Sequence, residues 1–211
     1  FPMKNLITLL TCLFILSPNV VMGETINDLV ERGGLLYKKF SDIPFTGKTT
    51  GKTKGTYRNG KRDGPWVWYH DNGKLSSKGD YKDNKRVGSW VNYYDNGKLW
   101  FKETFKNSKR DGPFVNYWDN GQLLSKGDYK DGKEHGPWVS YHDNGQLWTK
   151  GDYKDGNYEG PSVSYHDNGQ LGTKGGFKDG KEHGPWVSYN KDGTVSETFT
   201  GTFKNGVKVK K

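Results

Sequence analysis

From Gly64 the chain repeats itself every 24 residues. Gly64, Gly88, Gly112, Gly136, Gly160 and Gly184 open successive units, from GPWVWYHDNGKLSSKGDYKDNKRV to an incomplete last copy at GPWVSYNKDG. A fixed period of this kind means a repeat architecture, because one short polar unit cannot bury a core alone and must stack on its neighbours. In a shuffled order, 30 glycines and 31% hydrophobic residues would point to disorder; here both recur at fixed places in the unit.

Each unit holds two runs of alternating apolar and polar residues, Trp66 to His70 and Leu75 to Tyr81 in the first, separated by Asp71-Asn72-Gly73. Asn-Gly between strand-like runs is the strongest short hairpin signal. Two loops compete. A two-residue loop pairs His70 with Leu75, whereas a type I turn with Gly73 in the left-handed region pairs Tyr69 with Leu75. The second is preferred because it sets Val67, Tyr69, Leu75 and Tyr81 on one face as a core stripe, which a one-residue slip would scatter. Lys130-Asp131-Gly132-Lys133 and its copies read as another type I turn with glycine, placing Leu124 opposite Trp138 and Trp148 opposite Ser162. Gly79, Gly127, Gly151 and Gly175 let neighbouring aromatic rings pack over bare backbone. Glu103 stands where a glycine should and marks a locally different strand. The expected fold is all-β: an elongated, single-layer antiparallel meander or solenoid of hairpin repeats. About fourteen strands at roughly 4.8 Å each would span about 65 Å.

Residues 1–23 read as an export signal. Met3 and Lys4 give a positive start, Leu6 to Val21 is largely apolar, and Val21-Met22-Gly23 offers a cleavage site, so a mature chain begins at Glu24. Thr8, Thr11, Ser17, Pro18 and Asn19 interrupt the run too often for a membrane span. Cys12, the only cysteine, lies inside the signal, so the mature chain has no thiol for a disulfide or a thiolate metal site. Losing Lys4 takes the net charge from +9 to +8. Residues 24–44 form an N-terminal capping segment around Gly33-Gly34, residues 45–206 the array, and residues 207–211 a basic tail. The expected location is the periplasm, the outer envelope or the exterior, or the cytoplasm if the signal stays uncleaved.

The unit G-x-W-x-x-Y-x-x-N-G-x-L-x-x-x-G-x-Y-x-x-G-K, seen from Gly136 to Asn157 with Asn157 in place of the lysine, resembles the MORN family of repeats, specifically the bacterial variant of YwqK-type proteins. The resemblance covers about residues 45–206. It implies binding or scaffolding, some members being called antitoxins or touching membranes, and brings no catalytic residues. Asn84 and Ser108 replace the glycine of the second turn, and Ser162 replaces the tryptophan.

No G-x-S-x-G elbow, phosphate-cradling loop or H-E-x-x-H motif occurs. His70, His142 and His166 share one repeat position about 9.6 Å apart or more, too far to share a zinc ion, and read as solvated turn-edge residues. The turn aspartates recur in one environment, whereas general acid–base chemistry needs two carboxylates in different ones. No enzyme, metal or cofactor is expected. Trp66, Trp68, Trp90, Trp100, Trp118, Trp138, Trp148 and Trp186 form the candidate binding face: they either cover the second side of a thin sheet or make an aromatic platform. Two readings stand. One is a monomeric protein-interaction scaffold with an unknown protein partner, antitoxin-like in the sense of the resemblance. The other is a module binding cell-wall glycan or anionic lipid through tryptophans and lysines; no specific nucleic acid is expected.

Overall fold

The computed structural model describes residues 23–209. The expected signal, Cys12 within it and the last two lysines of the tail lie outside the described residues. The chain enters through β1 (Glu24–Thr25), a single 3-10 turn and a hairpin of β2 (Leu29–Arg32) and β3 (Leu35–Lys38). Gly33 and Gly34 close that hairpin at φ 57° and 76°, a left-handed pair that costs glycine nothing.

The array then runs as one up-and-down sheet. It consists of β4 (Gly47–Thr50), β5 (Thr53–Arg58), β6 (Lys61–Tyr69), β7 (Leu75–Lys82), β8 (Lys85–Tyr93), β9 (Leu99–Lys106), β10 (Lys109–Arg110), β11 (Gly112–Tyr117), β12 (Leu123–Lys130), β13 (Lys133–Tyr141), β14 (Leu147–Lys154), β15 (Asn157–Tyr165), β16 (Leu171–Lys178), β17 (Lys181–Glu182), β18 (Gly184–Ser188), β19 (Gly201–Lys204) and β20 (Val207–Lys208). Neighbours pair antiparallel, and β1 adds to the edge of β4 in parallel. The sheet has 18 strands and stays open. That exceeds the expected number because short strands extend both ends and two long strands are each interrupted, β10/β11 at Asp111 and β17/β18 at His183.

The first turn has the preferred three-residue form. Tyr69 pairs with Leu75, His70 and Lys74 join through N–H to carbonyl at 2.8 Å, and Gly73 sits at φ 79°. The core stripe, however, does not follow. Trp68 pairs with Ser77 while Tyr69 pairs with Leu75, so Ser76 is an extra residue, a β-bulge. One extra residue turns the rest of the strand over. Leu75 therefore shares a face with Val67 and Tyr69, whereas Tyr81 lies on the opposite face with Trp66 and Trp68.

The second turn also differs from expectation. Lys130 pairs directly with Lys133, and Asp131 and Gly132 both have positive φ, 50° and 89°. This is a two-residue turn of the mirror-image kind that matches strand twist. The register then jumps by two residues at Gly136-Pro137, where Gly136 has φ 74°. Trp138 therefore faces Gly127, not Leu124, and Ser162 faces Gly151, not Trp148. A methyl group on Gly79, Gly127 or Gly175 would run into the indole of Trp90, Trp138 or Trp186. The glycine rule holds for that reason.

Two exceptions confirm the same packing. At Ser162 the missing indole is replaced by Tyr158, whose ring lies 4.2 Å from Tyr153 and 5.0 Å from Phe177. At Glu103 a carboxylate occupies the glycine position, buried to 2% exposure, and accepts a 2.6 Å bond from Arg110 Nε. Burial opposes the Arg110 charge, but Glu103 outweighs it and holds the guanidinium above its ordinary range. Here β10 and β11 separate, and Phe114 packs beside Phe101 at 6.4 Å.

The core is thus a row of aromatic rings on one face: Phe45, Tyr57, Trp66, Tyr81, Trp90 and Phe105, mostly edge to face at 4.9–6.1 Å. Leu29 and the partly buried Leu36 of the entry hairpin pack against it. Backbone bonds from Leu36 N–H to the Gly60 carbonyl and from Gly60 N–H to the Phe45 carbonyl fix the hairpin there.

Candidate binding face

The structure distributes the tryptophans over two places rather than one platform. Trp66 and Trp90 are core, at 1% and 3% exposure, and Trp68 packs between them with ring centroids at 5.6 and 5.5 Å. Trp138 and Trp186 are half-buried on the same face. Trp100, Trp118 and Trp148 stand instead beside the first turns. Trp118 donates its Nε1–H to the Tyr141 carbonyl at 3.2 Å, while Trp100 and Trp148 are exposed, 43% and 46%, against Tyr94 and His142. The bulge at Ser76 and its copies carries Trp100 and Trp148 out of the sheet, a feature with no mark in the alternation pattern.

The three turn-edge histidines are bonded to the next repeat rather than left to solvent. His70, His142 and His166 place Nε2 at 3.0, 2.9 and 2.9 Å from the carbonyls of Tyr93, Tyr165 and Tyr189, one repeat onward. The Tyr94 hydroxyl and the Trp118 indole N–H make the same bond. Since a carbonyl only accepts, the proton sits on Nε2, and the position requires a ring with a donor at its tip. Asn72, Asn120 and Asn144 add amide donors to the carbonyls of Asp95, Asp143 and Asp167. At the opposite edge, Gly132, Gly156 and Gly180 donate their backbone N–H to Arg110, Glu134 and Tyr158 carbonyls. Both edges are stapled from repeat to repeat, so the array is stiff.

What remains for recognition is the second face. Val67, Tyr69, Leu75 and the corresponding residues of the central repeats are half-buried there, and down the middle run exposed lysines. In the central repeats this surface folds into a groove of roughly 710 Å³ lined by Pro113, Val115, Pro137, Val139, Tyr141 and Leu147 with Lys126, Lys150 and Asp128. The next groove, roughly 460 Å³, has a similar lining one repeat later: Pro161, Val163, Tyr165 and Leu171 with Lys150, Lys174 and Asp152. Lys150 belongs to both.

The titratable groups serve structure. Lys52 donates to Asp71 and Lys191 to Asp167, and each contact lowers the carboxylate below its ordinary range. Burial pushes the Tyr153 phenol well up, and the Tyr158 hydroxyl beside it adds to the shift. Among the described residues no three His, Cys, Asp or Glu side chains gather as a metal site, and no helix is long and apolar enough to cross a membrane.

An open, stapled sheet with an aromatic side and a grooved side that carries a row of lysines is the architecture of a repeat protein. Residues 62–83, 86–107, 110–131 and 134–155 each match the MORN repeat variant, and repeats of this kind are generally binding modules. The matched segments stop before the unit in which Ser162 replaces tryptophan. No curated protein matches the chain.

Proposed function

We propose that the protein is a non-enzymatic binding scaffold, working in the cell envelope or outside the cell, that holds an extended partner along its valine–tyrosine–leucine–lysine face. The observation that carries this reading is the recurrence of one groove, with the same valine–tyrosine–leucine–lysine lining, in consecutive repeats that share Lys150. A stiff array can offer such a site several times over, and a partner that spans several repeats gains by multivalency rather than by one tight pocket. The apolar floor supplies contact area and the lysines supply steering. Export is supported by the N-terminal pattern from Met3 to Gly23.

The immobilised chain is incubated with envelope fractions, and bound material is measured for three variants. Lys126→Glu with Lys150→Glu should abolish retention. Lys74→Glu with Lys98→Glu, an equal charge change at the turns, and Trp148→Ser should retain it. Loss with Trp148→Ser and retention with the groove pair would overturn the reading.

A further inference from the structure

We infer that the partner is a linear acidic polysaccharide carrying one carboxylate per disaccharide, seated along the lysine row of the second face. This rests on the scaffold reading above and names the chemistry of its partner. Lys54, Lys78, Lys102, Lys126, Lys150 and Lys174 occupy one register, each paired across the ladder with valines of the adjoining strands. Lys78 lies between Val67 and Val91, Lys102 between Val91 and Val115, Lys126 between Val115 and Val139, and Lys150 between Val139 and Val163. The result is an unbroken line of ammonium groups on an apolar floor, one every two strands, or about 9.6 Å along the sheet.

All six lysines are exposed, and none takes part in an ion pair among the described residues. Asp80, Asp128 and Asp152 share the face, with Glu159 opposite Asp152, and Lys82, Lys130 and Lys154 follow them toward the second turn, so the positive charge is concentrated in the lysine row rather than spread over the repeat. Every period also brings a half-buried tyrosine, Tyr69, Tyr93, Tyr117, Tyr141 and Tyr165. Lys54 Nζ already lies 5.0 Å over the Tyr69 ring, so cation and aromatic face are within reach of one ligand unit.

An aromatic face and a cation, repeated at the rise of two strands, fit a sugar ring and a carboxylate repeated at the rise of one extended disaccharide. A planar lipid surface fits less well. A twist of about 20–25° per strand turns the lysines by roughly 45° each repeat, so a plane touches few of them while a flexible chain can follow. An acidic peptide in the polyproline conformation has a three-residue rise of about 9.3 Å, yet it needs an acid at every third position. A glycan has the period by its covalent structure.

The test titrates the folded full chain with hyaluronan, heparosan and unsulfated chondroitin oligosaccharides of increasing length. Chitin oligosaccharides, polyglutamate and phosphatidylglycerol vesicles serve as comparators. Affinity for at least one uronate glycan should rise severalfold with each added disaccharide and fall with salt. Lys126→Gln with Lys150→Gln should weaken it about tenfold, and Lys74→Gln with Lys98→Gln should leave it within about twofold. Equal losses from the two pairs, equal binding of the neutral glycan, preference for polyglutamate or vesicles, or no binding to any uronate glycan each overturn the inference. If envelope retention still depends on Lys126 and Lys150 while no uronate glycan binds, the scaffold reading stands and this one falls.

Discussion

The two ends of the array share a repeat but not a core. All seven buried apolar residues of the described chain lie between Leu29 and Phe105. The same aromatic row continues through Phe114, Tyr129, Trp138, Tyr153, Phe177 and Trp186, yet there every ring is only half-buried. Three differences account for this. The entry hairpin covers the first units alone. Trp68, which fills the space between Trp66 and Trp90, gives way to Asn92, Asn116, Ser140, Ser164 and Ser188 in later repeats. The guanidinium groups of Arg62, Arg86 and Arg110, 4.6–5.3 Å above the rings, give way to Glu134, Tyr158 and Glu182. Identical backbone therefore yields a sealed core or an open one according to side chains that project over the row.

The largest effect should come from the sealed end. Trp66→Ala should cost about 3–5 kcal/mol, a loss of transfer energy plus an unfilled cavity, and Trp138→Ala about half as much because its ring is partly wet already. Chemical denaturation of both variants measures the difference; equal losses would erase the contrast between the two ends.

At the boundary, Arg110→Ala leaves the Glu103 carboxylate buried without its partner and should cost about 2 kcal/mol, less than a fully buried pair because Arg110 is itself half-exposed. Adding Glu103→Gly, which restores the residue used by the other units, should recover most of that loss in the same assay. A double variant as unstable as Arg110→Ala would show that the strand break, not the ion pair, governs this site.

A smaller gain is expected in the open half. Ser140→Trp puts an indole where Trp68 sits in the first unit and should raise stability by about 1 kcal/mol through added burial beside Trp138. Thermal unfolding and reduced binding of a hydrophobic dye would show the row being covered; an unchanged melting point would mean the open half cannot be sealed one residue at a time. Trp148→Ser should matter least, within about 0.5 kcal/mol, since the ring stands outside the sheet.

The chain's sequence determined by itself that there is a repeat, where each hairpin turns, and that an aromatic ring lies over each lone glycine. The reason is local: Asn-Gly fixes its own turn, and a missing Cβ leaves room for an indole whatever lies further off. It could not determine which face is core. Ser76 and the pair Gly64-Pro65, with their copies, are extra residues in the ladder, and a single such residue moves Tyr81 from beside Val67 to beside Trp66. Alternation along the chain looks the same either way, because a bulge is defined by what pairs with it. The lysine row was equally hidden. Each lysine appears solvated within its own unit, and only the pairing of six strands with their neighbours sets the six ammonium groups in line above the valines.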